Sequence, residues 1–150
     1  MNNLWSDKES SKFKDDLALR VYTSRLLGKE PSLVLHGGGN TSVKITETNL
    51  IGKEEEILYV KGSGWDLISI EEAGFSPVRM THMLSLSLLK SLSDPQMVNE
   101  LKTQLTKASA PTPSGSSGPW MQSTGQTSMQ AVSQVLTHGS AIIYVINTSH

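Results

Sequence analysis

Two clusters in this chain carry residues that can hold an anion. The first is His36-Gly37-Gly38-Gly39-Asn40-Thr41-Ser42, reached through the apolar run Leu33-Val34-Leu35. Three glycines bare the backbone, so N–H groups can face a ligand with no Cβ in the way and with φ > 0 accessible. Asn40, Thr41 and Ser42 add short side-chain donors. The second cluster, Gly62-Ser63-Gly64-Trp65-Asp66, follows the strand-like run Ile57-Leu58-Tyr59-Val60-Lys61. Two such loops in a short chain point to one phosphate or sugar phosphate held between them. Glycine clusters between strands are most often plain turns, and that reading stands beside the functional one.

Other chemistries find less support. The glycines fit neither the Lys-Ser/Thr phosphate loop nor G-x-G-x-x-G. Gly62-Ser63-Gly64 lacks the pattern of a nucleophile elbow. There is no cysteine, hence no disulfide scaffold and no thiolate. The histidines are His36, His82, His138 and His150. His36 reads as a strand-end residue and His82 as a surface or capping residue. His138 and His150 lack a third partner that would hold zinc firmly. Lys44 and Lys61 could add charge to the loops, but both sit in alternating runs that favour solvated or edge lysines.

The elements that position these loops follow from periodicity. Ser6-Asp7-Lys8-Glu9 fits a capping box, and Phe13, Leu17, Val21 and Tyr22 recur at helical spacing, so a helix is expected from Asp7 to Leu27. Strands are expected over 33–36, 42–46 and 56–61, with a hairpin loop over 47–55. Ser69–Glu72 opens a short helix, and the Leu-rich stretch 81–92 reads as helical. Ser93 caps a further helix from Asp94 to about Thr106 that buries Met97, Leu101 and Leu105. Near the end, 129–136 reads as a short helix and 141–146 as a strand. This order predicts an α/β sheet, antiparallel in its first half and flanked by helices.

At 150 residues the chain suits one domain, and its net charge of −1 gives no field for nucleic acid or an anionic membrane. No apolar run approaches the roughly 18 residues of a membrane span, so a cytoplasmic protein is expected. Every Lys, Arg, Asp and Glu lies at or before Lys107. That cut-off, with the Pro/Gly/Ser-rich stretch that follows, predicts a body over 1–107, a mobile linker over 108–128 and a divergent uncharged tail over 129–150.

The segments Asp16–Gly28, Ser32–Lys44, Val60–Leu67, Ala73-Gly74-Phe75 and Ala108–Ser114 resemble the class II aldolase/adducin family. The resemblance is strongest to the aldolase portion of bifunctional rhamnulose-1-phosphate aldolase/alcohol dehydrogenases and covers about residues 1–114. It implies a central sheet with helices on both faces. The implied reaction, part of rhamnose metabolism, is retro-aldol cleavage of a ketose 1-phosphate to dihydroxyacetone phosphate and an aldehyde. It further implies substrate phosphate held by Gly39, Asn40 and Thr41 together with Ser63 and Gly64. Zinc is the expected family cofactor, acting as a Lewis acid, and a tetramer is typical.

The family's metal centre needs a His-x-His pair, a third histidine, and a glutamate soon after a Pro-Ser motif. Here Pro113-Ser114 is followed by Gly115-Ser116-Ser117, no glutamate follows Glu100, and no His-x-His occurs. The expectation is therefore a truncated aldolase, the N-terminal fragment, with phosphate loops but neither catalytic residues nor metal ligands. The alternative is a non-catalytic adducin-like interaction module.

Overall fold

The structure is a computed structural model and describes residues 4–34, 39–86, 88–89 and 92–113. The helix expected at 129–136, the strand at 141–146 and residues 114–128 of the expected linker lie outside the described residues.

The single helix expected from Asp7 to Leu27 is two helices, α1 (Asp7–Ser10) and α2 (Asp16–Gly28). Ser6 caps α1, its hydroxyl accepting from the Glu9 N–H at 3.3 Å. The Ser10 and Ser11 hydroxyls then donate back to the carbonyls of Asp7 and Lys8, both at 3.0 Å. Asp15 starts α2 afresh by accepting from the Ala18 N–H at 2.8 Å. Serine and aspartate compete with the helix ladder in this way. The apolar spacing survives the break because Phe13 still stacks on Tyr22, ring centroids 5.2 Å apart.

Three strands, β1 (Ser42–Thr48), β2 (Glu54–Lys61) and β3 (Phe75–Arg79), form an antiparallel meander in the order β1-β2-β3. The register pairs Ser42 with Val60 and Thr48 with Glu54 across the first hairpin. It pairs Ile57 with Arg79 and Lys61 with Phe75 across the second pair. The strand expected at 33–36 is absent at its described residues. The Leu33 and Val34 N–H groups both bond the Glu30 carbonyl in a turn, at 3.0 and 3.1 Å. The third strand is β3 instead, which the sequence disguises with Pro77. Proline is tolerated at a sheet edge. The next segment seals that edge: Arg79 N–H bonds the Gln104 carbonyl at 3.1 Å, and Thr106 N–H bonds the Pro77 carbonyl at 3.0 Å.

Alternation along β2 assigns the two faces. Ile57 and Tyr59 pack with Val43, Leu67, Ile70, Phe75 and Val21 of α2. Leu58 packs on the other side with Val78 and with Met80, Met83, Leu86, Met97 and Leu101. Those five belong to α3 (Met80–Leu86) and α4 (Asp94–Thr103). A strand covered on both faces reads as a continuous apolar run, as Ile57-Leu58-Tyr59-Val60 does. The helix expected after Ser69 shrinks to a single 3₁₀ turn, Glu72–Gly74. Helix α4 begins as expected, the Gln96 side chain accepting from the Ser93 N–H at 3.0 Å. Among the described residues, no helix is long and apolar enough to cross a membrane.

Candidate functional site

The antiparallel pairing decides where the two glycine loops go. Residues 39–41 lead into β1 and residues 62–64 leave β2, so Ser42↔Val60 pairing sets both at one end of the ribbon. The Lys61 N–H donates to the Thr41 carbonyl at 3.0 Å, which extends the ladder into the first loop. Gly39, Asn40, Thr41, Ser63 and Gly64 thus share one sheet end. Gly39 and Gly64 have φ of +78° and +88°, the left-handed region that favours glycine.

Each loop is braced by a different element. Helix α2 braces the first. Ser24 is fully buried, and its hydroxyl donates to the Arg20 carbonyl at 2.6 Å. A hydroxyl has one proton. The Thr41 hydroxyl, 2.8 Å away, must therefore be the donor to Ser24. Thr41 spends its proton holding the loop to the helix rather than facing a ligand. Asn40 differs: its Oδ1 is buried and has no hydrogen-bond partner among the described residues. A buried acceptor left in that state is costly, and a ligand hydroxyl or N–H donor would satisfy it.

The second loop is braced from the far end of the described chain. Gly62 N–H bonds the Gly74 carbonyl and Ser63 N–H bonds the Thr112 carbonyl, each at 2.7 Å. Ser76 donates to the Pro111 carbonyl at 2.6 Å, and Pro113 pairs with Gly62 as an isolated bridge. Packed structure thus continues past residue 107 to Pro113, although composition there reads as linker. The docking rests on backbone groups, which composition does not report. A Cβ on Gly62 would lie 2.4 Å from the Pro111 ring, so glycine is required there for close approach. Two of the N–H groups expected to cradle an anion are thereby committed to the fold.

Charge at this end comes from residues the loop motifs do not contain. Lys61 is only 3% exposed, against the solvated lysine that alternation suggests. Burial pushes its pKa down, and the Asp66 carboxylate opposes that shift. On α2, Arg25 Nε donates to the Ile70 carbonyl at 2.7 Å. Arg20 Nε is buried with no partner among the described residues, and burial lowers its pKa against the pull of Asp16. Strand parity could have found Lys61, because it continues the Ile57–Tyr59 side of β2. No spacing rule singles out Ser24 or the two arginines. A groove of about 420 Å³ lies at the opposite end of the ribbon, lined by Glu47, Asn49, Leu50, Glu55, Arg79 and Lys107.

Comparison with solved structures assigns the architecture. The N-terminal class II aldolase domain of a conserved protein from Thermoplasma acidophilum superimposes with a TM-score of 0.70 at 42% sequence identity, over 76% of this chain and 52% of that one. The fold is that of a class II aldolase-like domain. A curated Bacillus subtilis protein described as the uncharacterized oxidoreductase YuxG is 31% identical over 114 residues, 76% of this chain. The match spans only 16% of that protein's length. No protein-family profile matches the chain.

Class II aldolases are generally metal-dependent, and the described part of this aldolase-like domain does not fit a metal. Among the described residues no three His, Cys, Asp or Glu side chains cluster. His82, the one described histidine, is bonded to Glu100 at 2.6 Å between α3 and α4. That pair lies on the side of the sheet away from α2.

Proposed function

We propose that this chain supplies the phosphate-holding part of a class II sugar-phosphate aldolase. The observation that carries the reading is the convergence of the Gly39–Thr41 and Ser63–Gly64 loops at one end of the β1–β2 ribbon. In this reading Asn40 and Ser63 contact the ligand. Gly39 and Gly64 let the backbone approach it, and Thr41 holds the first loop through Ser24. The buried, unpartnered Asn40 Oδ1 is an acceptor, so it supports an occupant that carries a donor, such as a sugar hydroxyl. The substrate class is a ketose 1-phosphate, with rhamnulose 1-phosphate the first to test because the matching segments resemble that branch of the family.

Retro-aldol chemistry stabilises a carbanion, and among the described residues no cluster of His, Cys, Asp or Glu offers a metal site beside these loops. In this reading the chain binds the sugar phosphate and does not turn it over by itself. Purified protein with added zinc should release no dihydroxyacetone phosphate from rhamnulose 1-phosphate above a no-enzyme control. Titration with dihydroxyacetone phosphate should move amide resonances in 39–42 and 62–64. Metal-dependent turnover would overturn the first statement. A folded protein with neither loop perturbed would overturn the second.

A further inference from the structure

We propose that the groove at the hairpin end of the ribbon binds a free linear ω-amino acid, a molecule with an ammonium at one end and a carboxylate at the other. The groove holds about 420 Å³, within the ~300–1,000 Å³ usual for small-ligand sites. It lies at the far end of the sheet from both glycine loops, so the inference stands apart from the phosphate-site reading. Its charges are sorted by strand. Glu47 on β1 and Glu55 on β2 are cross-strand partners. Arg79 stands on β3 as the partner of Ile57. Lys107 directly follows the residues that seal the β3 edge. One side of the groove is therefore acidic and the other basic, and Leu50, Ile51 and Ile57 supply its aliphatic lining.

Like charges directly across two strands are unfavourable, and the hydrogen bonds that orient this carboxylate pair come from neutral donors. Glu47 Oε1 accepts from the Tyr59 hydroxyl at 2.5 Å, and Glu55 Oε1 accepts from Asn49 Nδ2 at 2.8 Å. Arg79 Nε stays 3.7 Å from Glu55 Oε2, beyond hydrogen-bond length, and a partly exposed pair of that kind contributes little. An ionised carboxylate keeps lone pairs to spare after one bond. An ammonium placed between Glu47 and Glu55 would relieve their repulsion through charge-assisted contacts. On the other side the Arg79 side chain is 44% exposed, and its guanidinium is open to a ligand carboxylate. From β1 to β3 is two strand spacings, roughly 10 Å. That span suits a chain of several methylenes and not an α-amino acid, whose two charged groups share one carbon. The methylenes would lie against Leu50, otherwise fully exposed, and remove apolar surface from water.

The test is a titration of the full chain with 6-aminohexanoate, hexanoate, hexylamine and glycine, followed by amide resonances. 6-Aminohexanoate should shift the amides of 47–51, 55–57, 79 and 106–107 in a saturable way. Hexanoate and hexylamine each lack one charge and glycine lacks the span, so each should bind about tenfold more weakly. Glu47→Gln should bring the affinity for 6-aminohexanoate down toward that for hexanoate, and Arg79→Met toward that for hexylamine. The absence of a saturable shift at the groove with 6-aminohexanoate overturns the inference. So does equal affinity for hexanoate or hexylamine, which would make the groove a plain anion or cation site, and so does equal affinity for glycine, which would remove the two-strand span. Should either variant not fold, the four ligands on wild type decide alone.

Discussion

The two ends of the β1–β2 ribbon are built from similar residues and do opposite things. Each has a glycine with φ near +80°, Gly39 at one end and Gly52 at the other. At the hairpin end nothing lies within 4 Å of a Cβ built on Gly52. Leu50 and Ile51 beside it stand in solvent, 106% and 85% exposed. At the loop end a Cβ on Gly39 would sit 2.6 Å from Leu67 Cδ1 and 3.3 Å from Val34. The hairpin turn is closed by its own residues, Asn49 Oδ1 accepting from the Ile51 and Lys53 N–H groups at 3.1 and 2.9 Å. The loop end is closed by α2 and by residues 111–113, which are distant in sequence. A local turn tolerates change; a junction of three elements does not.

The largest break in this comparison should come from the glycines. Gly39→Val combines left-handed strain with overpacking against Leu67 and should cost about 2–4 kcal/mol. Gly52→Ala meets open space and should cost about 1 kcal/mol from backbone strain alone. Urea denaturation midpoints check both, and equal losses would erase the distinction between the two ends.

Next in size is the Thr41–Ser24 contact. Thr41→Val removes the donor and leaves the buried Ser24 oxygen short of a partner, for a loss of about 1–3 kcal/mol. Thr48→Val, at the exposed hairpin end of the same strand, should stay within about 0.5 kcal/mol. Chemical denaturation of the two variants side by side gives the answer.

How much of this was legible depends on whether a residue's role is local. The hairpin could be read because alternation over Ser42–Thr46 and Glu56–Lys61 is a short-range signal, although the strands run longer than expected, to Thr48 and from Glu54. The convergence of the two loops followed from antiparallel pairing. Pro77 hid β3, because a proline in a strand is safe only at an edge, and edges are tertiary facts. Ser10, Ser11 and Asp15 broke an expected helix by side-chain bonds that periodicity does not register. Thr41 reads as a ligand donor, and its hydroxyl contact with Ser24 was not legible because Ser24 lies on another element. Lys61 looked solvated because a sequence shows alternation but not which face α2 will cover.

A middle-sized effect should appear at high pH and reports on the stem joining the two ends. Tyr59 is buried, and its hydroxyl donates to Glu47 at 2.5 Å. Burial first, and then the Glu47 carboxylate, raise the phenol's pKa above its ordinary 10.0. Above pH 10 the unfolded chain loses this proton while the folded chain keeps it. Folded protein then binds more protons than unfolded, so stability falls as pH rises, by up to about 1.4 kcal/mol per pH unit. Tyr59→Phe should flatten that decline between pH 10 and 11, as seen in thermal melts. A decline unchanged in the variant would assign it to another group.

The smallest effect belongs to the hairpin tip. Leu50→Asp with Ile51→Asp should change stability by no more than about 0.5 kcal/mol, since both side chains are already in water. A larger loss in a melting experiment would mean that the tip is covered in solution.

The bond from Ser63 N–H to the Thr112 carbonyl has a consequence in time. The meander of β1, β2 and β3 pairs only neighbouring segments, and local pairings of this kind form quickly. The second loop is different: its brace arrives about fifty residues later in the chain, and closing so long a span costs more entropy. On a ribosome the sheet could therefore be paired while residues 111–113 are still unsynthesised. Until those residues emerge and dock, Gly62–Gly64 has lost one of its two anchors, and the sheet is older than the shape of its own binding loop.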